Sequence, residues 1–96
     1  MSIADKYDFE TLVNDAEHMV LRELETQLTT AVDVCNCQDC VLDMAAFALN
    51  NVKPTYRVSL MGRVYAQSGS NAQHAQAITR AVRDAIAKVK ANPSHD

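Results

Sequence analysis

Three cysteines fall within six residues, Cys35-x-Cys37-x-x-Cys40, and the 96-residue chain holds no others. Cysteines this close cannot build an internal disulfide framework, and in a reducing compartment such a cluster is a metal site or a redox site. Zinc takes tetrahedral sulfur and nitrogen ligands, and closely spaced thiolates let one stretch of backbone wrap around the ion. Cys37 and Cys40 form such a knuckle and Cys35 adds a third ligand, so the pattern points to a structural metal, zinc. Two alternatives stand beside it. A thioredoxin-like redox site would follow a strand in a βαβ pattern, and three inert buried thiols would simply pack.

A closed zinc site needs a fourth ligand, for which the chain offers His18, His74 and His95, with Asp33, Asp39 or Asp43 as weaker oxygen donors. The expected ligand is His95, which follows the helix stop at Asn92-Pro93 and can fold back on a short tail. A frayed terminus is its alternative. Asp43 interrupts an apolar run three residues after Cys40. It is either a carboxylate that supports the metal loop through hydrogen bonds or an acid on the exposed edge of a helix.

The flanking sequence is helical. Phe9, Leu12, Val13, Ala16, Met19, Val20, Leu24, Leu28 and Ala31 recur at spacings of three and four, which predicts one long helix capped by Asp8, with the intervening polar residues, Asp15 among them, on its surface. Thr29, Thr30, Val32 and Val34 weaken helix propensity, so Asp33 to Cys37 is an irregular connection. Asp39 is the expected N-cap of a second, almost wholly apolar helix from Val41 to Leu49, which stops near Asn50-Asn51 ahead of Pro54. Tyr56, Val58 and Leu60 alternate with polar residues, and Arg63 to Tyr65 follow Met61-Gly62, suggesting a short β-hairpin. Ser70 with Gln73 resembles a capping box for a last helix buried along Ala75, Ile78, Val82, Ala85, Ile86 and Val89. The expected fold is therefore mainly α: three to four helices with a short hairpin or extended segment before the last one, stabilised by zinc. It forms one domain over residues 1–96 with an ordered core over about 8–91.

The net charge of −3 hides an asymmetry: residues 1–52 sum to −8 and residues 53–96 to +5. The basic half can attract an anionic partner or its own acidic half. Arg80, Arg83 and Lys90 share a face of the last helix opposite the buried stripe. Neither a signal peptide nor a run of about eighteen uncharged apolar residues occurs, so a cytoplasmic protein without a membrane span is expected.

The run Cys35-x-Cys37-x-x-Cys40-x-x-Asp43, continuing into Ala48-Leu49-Asn50 and Pro54-x-Tyr56, resembles the late-competence ComFB family. Val13-Asn14-x-x-Glu17 upstream and Asn92-Pro93-x-His95 at the end are similar to its flanking pattern. Lys53-Pro54-Thr55-Tyr56 departs from the family's Leu-Pro-Pro-x-Tyr form, with Val52 at the leucine place and lysine for the first proline. The resemblance implies a non-enzymatic, helical homodimer with a structural zinc site in each subunit. It also implies a regulatory role as a cytoplasmic receptor for cyclic dinucleotides, cyclic di-GMP or cyclic di-AMP, acting through an unknown downstream protein. Asn14 and Glu17 are expected to play supporting structural parts.

Such a ligand presents two phosphates, two base edges and flat base faces. Arg57, Arg63, Arg80 and Arg83 suit the first two, and Tyr56 or Tyr65 suits stacking. An enzyme is disfavoured: no paired nucleophile and base stand in a recognisable context, no glycine-rich phosphate loop occurs, and three thiolates make an electron-rich metal. The acidic balance and the lack of a helix-turn-helix signal argue against nucleic acid as the main partner. A zinc-stabilised protein-interaction module with no nucleotide ligand is the alternative function.

Overall fold

The computed structural model describes residues 2–58 and 71–93. These are mainly helical. Helix α1 (Ile3–Lys6) and a 3-10 turn (Phe9–Thr11) lead into strand β1 (Val13–Asn14) and helix α2 (Asp15–Thr30). Helix α3 (Gln38–Leu49), strand β2 (Tyr56–Arg57) and helix α4 (Asn71–Ala91) follow. β1 and β2 pair antiparallel, Val13 opposite Arg57 and Asn14 opposite Tyr56.

The core is built where α2, α3 and α4 pack on one another. Helix α2 contributes Val20 and Leu24, α3 contributes Cys40, Met44, Ala45 and Ala48, and α4 contributes Ile78, Ala81, Val82, Ala85, Ile86 and Val89. The α4 positions recur at three and four residues, which puts them on one stripe. Alanines at Ala45, Ala48, Ala81 and Ala85 carry little volume, so α3 and α4 approach closely at those positions. The larger side chains of Val20, Met44 and Val82 fill the space between and are fully buried, each stabilising the fold by about 1.5–3 kcal/mol relative to exposure. The predicted stripe of the last helix is present, except that Ala75 is exposed and Ala81 takes a buried place.

Helix α2 begins six residues later than the apolar spacing predicts. Asp8 caps only the 3-10 turn, accepting from the Glu10 amide at 3.1 Å, and the true N-cap of α2 is Asn14, whose Oδ1 accepts from the Ala16 amide at 3.2 Å. The reason is tertiary. Val13 and Asn14 are held extended by pairing with β2, and a strand residue cannot also be helical. Asp15, predicted on the helix surface, is 8% exposed instead.

Helix α2 ends at Thr30 with Ala31 as its extended C-cap, and Asp33 takes a left-handed backbone with φ 58° that redirects the chain. A short polar side chain tolerates that geometry better than a branched one. Helix α3 ends as expected: the Asn50 amide donates to the Ala46 carbonyl at 3.0 Å, and Asn51 Nδ2 donates to the Phe47 carbonyl at 2.8 Å. The extended segment expected at Tyr56 is present as β2, and its partner among the described residues is β1. The expected second hairpin arm, Arg63 to Tyr65, and the cap at Ser70 lie outside the described residues. Among the described residues, no helix is long and apolar enough to cross a membrane.

Candidate metal centre

The turn at Asp33 sends the chain back toward α3, and the cysteines occupy the return. Val34 packs against the core from this connection and brings half-buried Cys35 with it. Cys37, not Asp39, is the N-cap of α3: its backbone is extended at φ −70° and ψ 165°, and its Sγ accepts from the Cys40 amide at 3.5 Å. Asp39 lies inside the first turn, where its charge complements the helix dipole. A thiolate at an N-cap benefits from the same field, since free amides point at it. Cys40, one turn into the helix, is fully buried among the core residues.

The three Sγ atoms lie within 4.8 Å of one another. A zinc ion with bonds of about 2.3 Å holds its thiolates roughly 3.8 Å apart, so the cluster matches one face of a tetrahedron after a movement of about 1 Å. None of the three cysteines is in a disulfide. The donor set therefore fits a metal ion, and a soft all-sulfur face suits zinc better than hard cations that prefer oxygen. A bound ion would join the connection before α3, the α3 N-terminus and the core into one unit.

The fourth ligand expected at His95 lies outside the described residues, as does Arg63. Among the described residues no further histidine, cysteine or carboxylate joins the three sulfurs. His18 is exposed on α2, and His74 is half-buried on α4, its Nε2 without a hydrogen-bond partner among the described residues. Asp43 is exposed on α3 and Glu17 on α2.

The expected nucleotide contacts separate into two places. Tyr56 and Arg57 sit in β2, Tyr56 exposed and Arg57 half-buried. Arg57 Nε donates to Asp15 Oδ2 at 2.8 Å, so that side chain is engaged within the fold. Asn14 completes the joint, its Oδ1 also accepting from the Thr55 amide at 2.7 Å, while the Asp15 amide donates to the Thr55 carbonyl at 2.8 Å. Sequence reasoning missed Asp15. The available signal was an acid beside an asparagine ahead of an amphipathic run, which marks a helix start without revealing a partner 42 residues away.

Arg80 and Arg83 are exposed on α4. They line one shallow groove together with Gln76 and Thr79, and Arg83 with Lys90 lines an adjoining groove of about 340 Å³ between the end of α2 and α4. Gln27 ties those helices together by donating to the Thr79 carbonyl at 3.0 Å.

Three packed helices, a two-stranded clamp and a cysteine triad at the start of the middle helix define a small, mainly helical protein with a thiol centre able to hold a metal. The model of the family described as late competence development protein ComFB matches residues 13–93, and the chain belongs to that family. The solved structure of the late competence protein ComFB from Bacillus subtilis is similar at a TM-score of 0.70 and 27% identity, covering 86% of this chain and 92% of that one. No curated protein sequence matches the chain.

Proposed function

We propose that this is a non-enzymatic regulatory protein: a cytoplasmic homodimer that holds structural zinc through Cys35, Cys37 and Cys40 and serves as a receptor for a cyclic dinucleotide, cyclic di-GMP or cyclic di-AMP. The observation that carries the receptor reading is the row of Arg80, Arg83 and Lys90 along two adjoining grooves of α4. Guanidinium groups pair with phosphate oxygens and purine edges through two parallel hydrogen bonds. In a homodimer the row is duplicated by a two-fold axis, which suits a ligand that is itself two-fold. Likeness to a late competence protein supports a regulatory role in competence.

The zinc in this reading supplies a cross-link, with its binding free energy contributing to folding. Cys40 stands in the hydrophobic core and Cys35 in the connection, so the ion fixes the path that leads into α3.

A zinc-stabilised protein-interaction module is the second reading. It is favoured by the engagement of Arg57 with Asp15, which leaves the α4 row as the main described source of cations for a nucleotide. Calorimetric titration of the zinc-loaded protein with cyclic di-GMP, with cyclic di-AMP and GTP as controls, decides between them. Saturable binding at micromolar or lower concentration, with a fixed ratio per dimer, supports the receptor. Absence of heat with all three nucleotides leaves the interaction module.

A further inference from the structure

The segment ahead of β1 is apolar and acidic, and none of its described residues is buried. Ile3, Tyr7, Phe9 and Leu12 are all exposed, Ile3 at 65%, and neither α1 nor the 3-10 turn contains a buried residue. Asp5, Asp8 and Glu10 against Lys6 give the arm, residues 2–12, a net charge of −2. It lies outside the stretch matched by the family model, which begins at Val13. Four large apolar side chains within ten residues, held off the core, are costly to leave in water.

The groove between the end of α2 and α4 has the complementary character. Val32, Val34, Ile86 and Ala87 give it an apolar lining, Arg83 and Lys90 make its charged groups cationic, and no acid among the described residues lines it. Val32 is 69% exposed there. Arg83 Nε stands 3.6 Å from Asp84, but both side chains are largely exposed, so the pair holds the guanidinium only loosely. The volume of about 340 Å³ has room for the ring of Tyr7 or Phe9.

The arm does not fill its own groove: its four large apolar side chains are exposed. Pairing with β2 pins Val13 and Asn14 at the start of α2, whereas the groove lies at the other end of that 16-residue helix, roughly 24 Å away at 1.5 Å per residue. Phe9, five residues from Asn14, reaches at most about 18 Å and falls short of the groove, while Tyr7 and Ile3, farther along the arm, stand exposed in the structure rather than in the groove. A second copy has no such restriction. We infer that the acidic arm of one copy docks its apolar side chains into the α2–α4 groove of another, with Asp5 and Glu10 facing Arg83 and Lys90. The inference rests on the homodimer part of the proposed function and not on the metal; because Arg83 and Lys90 also belong to the row offered to the nucleotide, a docked arm and a nucleotide compete for this groove.

Charge exchange between two variants tests it. Asp5→Lys/Glu10→Lys makes the arm cationic, and Arg83→Glu/Lys90→Glu makes the groove anionic. All four positions are exposed, and circular dichroism checks that both variants fold. Under arm exchange each variant alone self-associates at least about tenfold more weakly than the unaltered chain in sedimentation equilibrium. An equimolar mixture then forms a heterodimer about as tight as the unaltered homodimer, because both arm–groove pairs are again opposite in sign. A mixture no tighter than its components, or variants that associate like the unaltered chain, overturns arm docking while leaving a homodimer built elsewhere. An unaltered chain that stays monomeric overturns the homodimer as well.

Discussion

Asp15 accepts a hydrogen bond from Arg57 Nε at 2.8 Å across 42 residues of chain, and its carboxylate is nearly buried where the guanidinium is only partly so. The pair sits at the one place where the N-terminal strand, the start of α2 and the segment after Pro54 meet. Removing the acid leaves a half-buried cation without that partner, and the loss exceeds that of a surface pair. Asp15→Ala is expected to lower unfolding free energy by about 1–2 kcal/mol in urea titration, with Asp15→Asn losing less because an acceptor remains. A loss no greater than that of an exposed control such as Glu25→Ala would count against a structural role for the pair.

Asn14 works beside it through one oxygen, which caps α2 at the Ala16 amide and accepts from Thr55. Asn14→Ala removes both bonds and is expected to destabilise the fold by about 1–2 kcal/mol, the sum of a lost cap and an orphaned amide. Asn14→Asp retains both acceptor contacts and should stay close to the unaltered protein. Hydrogen exchange at the Thr55 amide provides a local readout, accelerating in the alanine variant and not in the aspartate variant.

The two tasks of Cys37 separate by substitution. Serine keeps an acceptor for the Cys40 amide while removing a thiolate, whereas alanine removes both. With zinc present, both variants are expected to melt well below the unaltered protein. In chelator the serine variant should match it, and the alanine variant should remain about 1 kcal/mol less stable. Equal behaviour of all three proteins with zinc present would remove Cys37 from the metal site.

For the nucleotide reading, Arg80→Ala/Arg83→Ala is expected to weaken cyclic di-GMP binding at least about a hundredfold, as loss of two charge-assisted contacts requires. Both side chains are exposed, so helix content by circular dichroism should be unchanged. Full affinity in this variant would place the ligand elsewhere.

Several of these features were legible in the order of residues. The α4 stripe from Ile78 to Val89 is a local periodic signal, the stop at Asn50 ahead of Pro54 is local chain geometry, and three cysteines within six residues bring their sulfurs together through the backbone alone. The start of α2 was not legible, because Phe9, Leu12, Val13 and Ala16 keep helical spacing right through a segment that pairing with Tyr56–Arg57 pulls into a strand. The Asp15–Arg57 pair was hidden for the same reason, since it depends on contacts across 42 residues. Cys37 displaced Asp39 as the cap of α3 because the connection arrives from the Asp33 turn already extended at Cys37, a path that cap preference by residue type does not contain.

The most direct test of the structural metal centre is zinc content measured together with thermal unfolding, before and after exhaustive chelation under reducing conditions. A structural site predicts one zinc per chain and a fall in Tm of more than about 10 °C on its removal, restored when zinc is returned. Protein purified without zinc, or zinc whose removal leaves Tm unchanged, would contradict it.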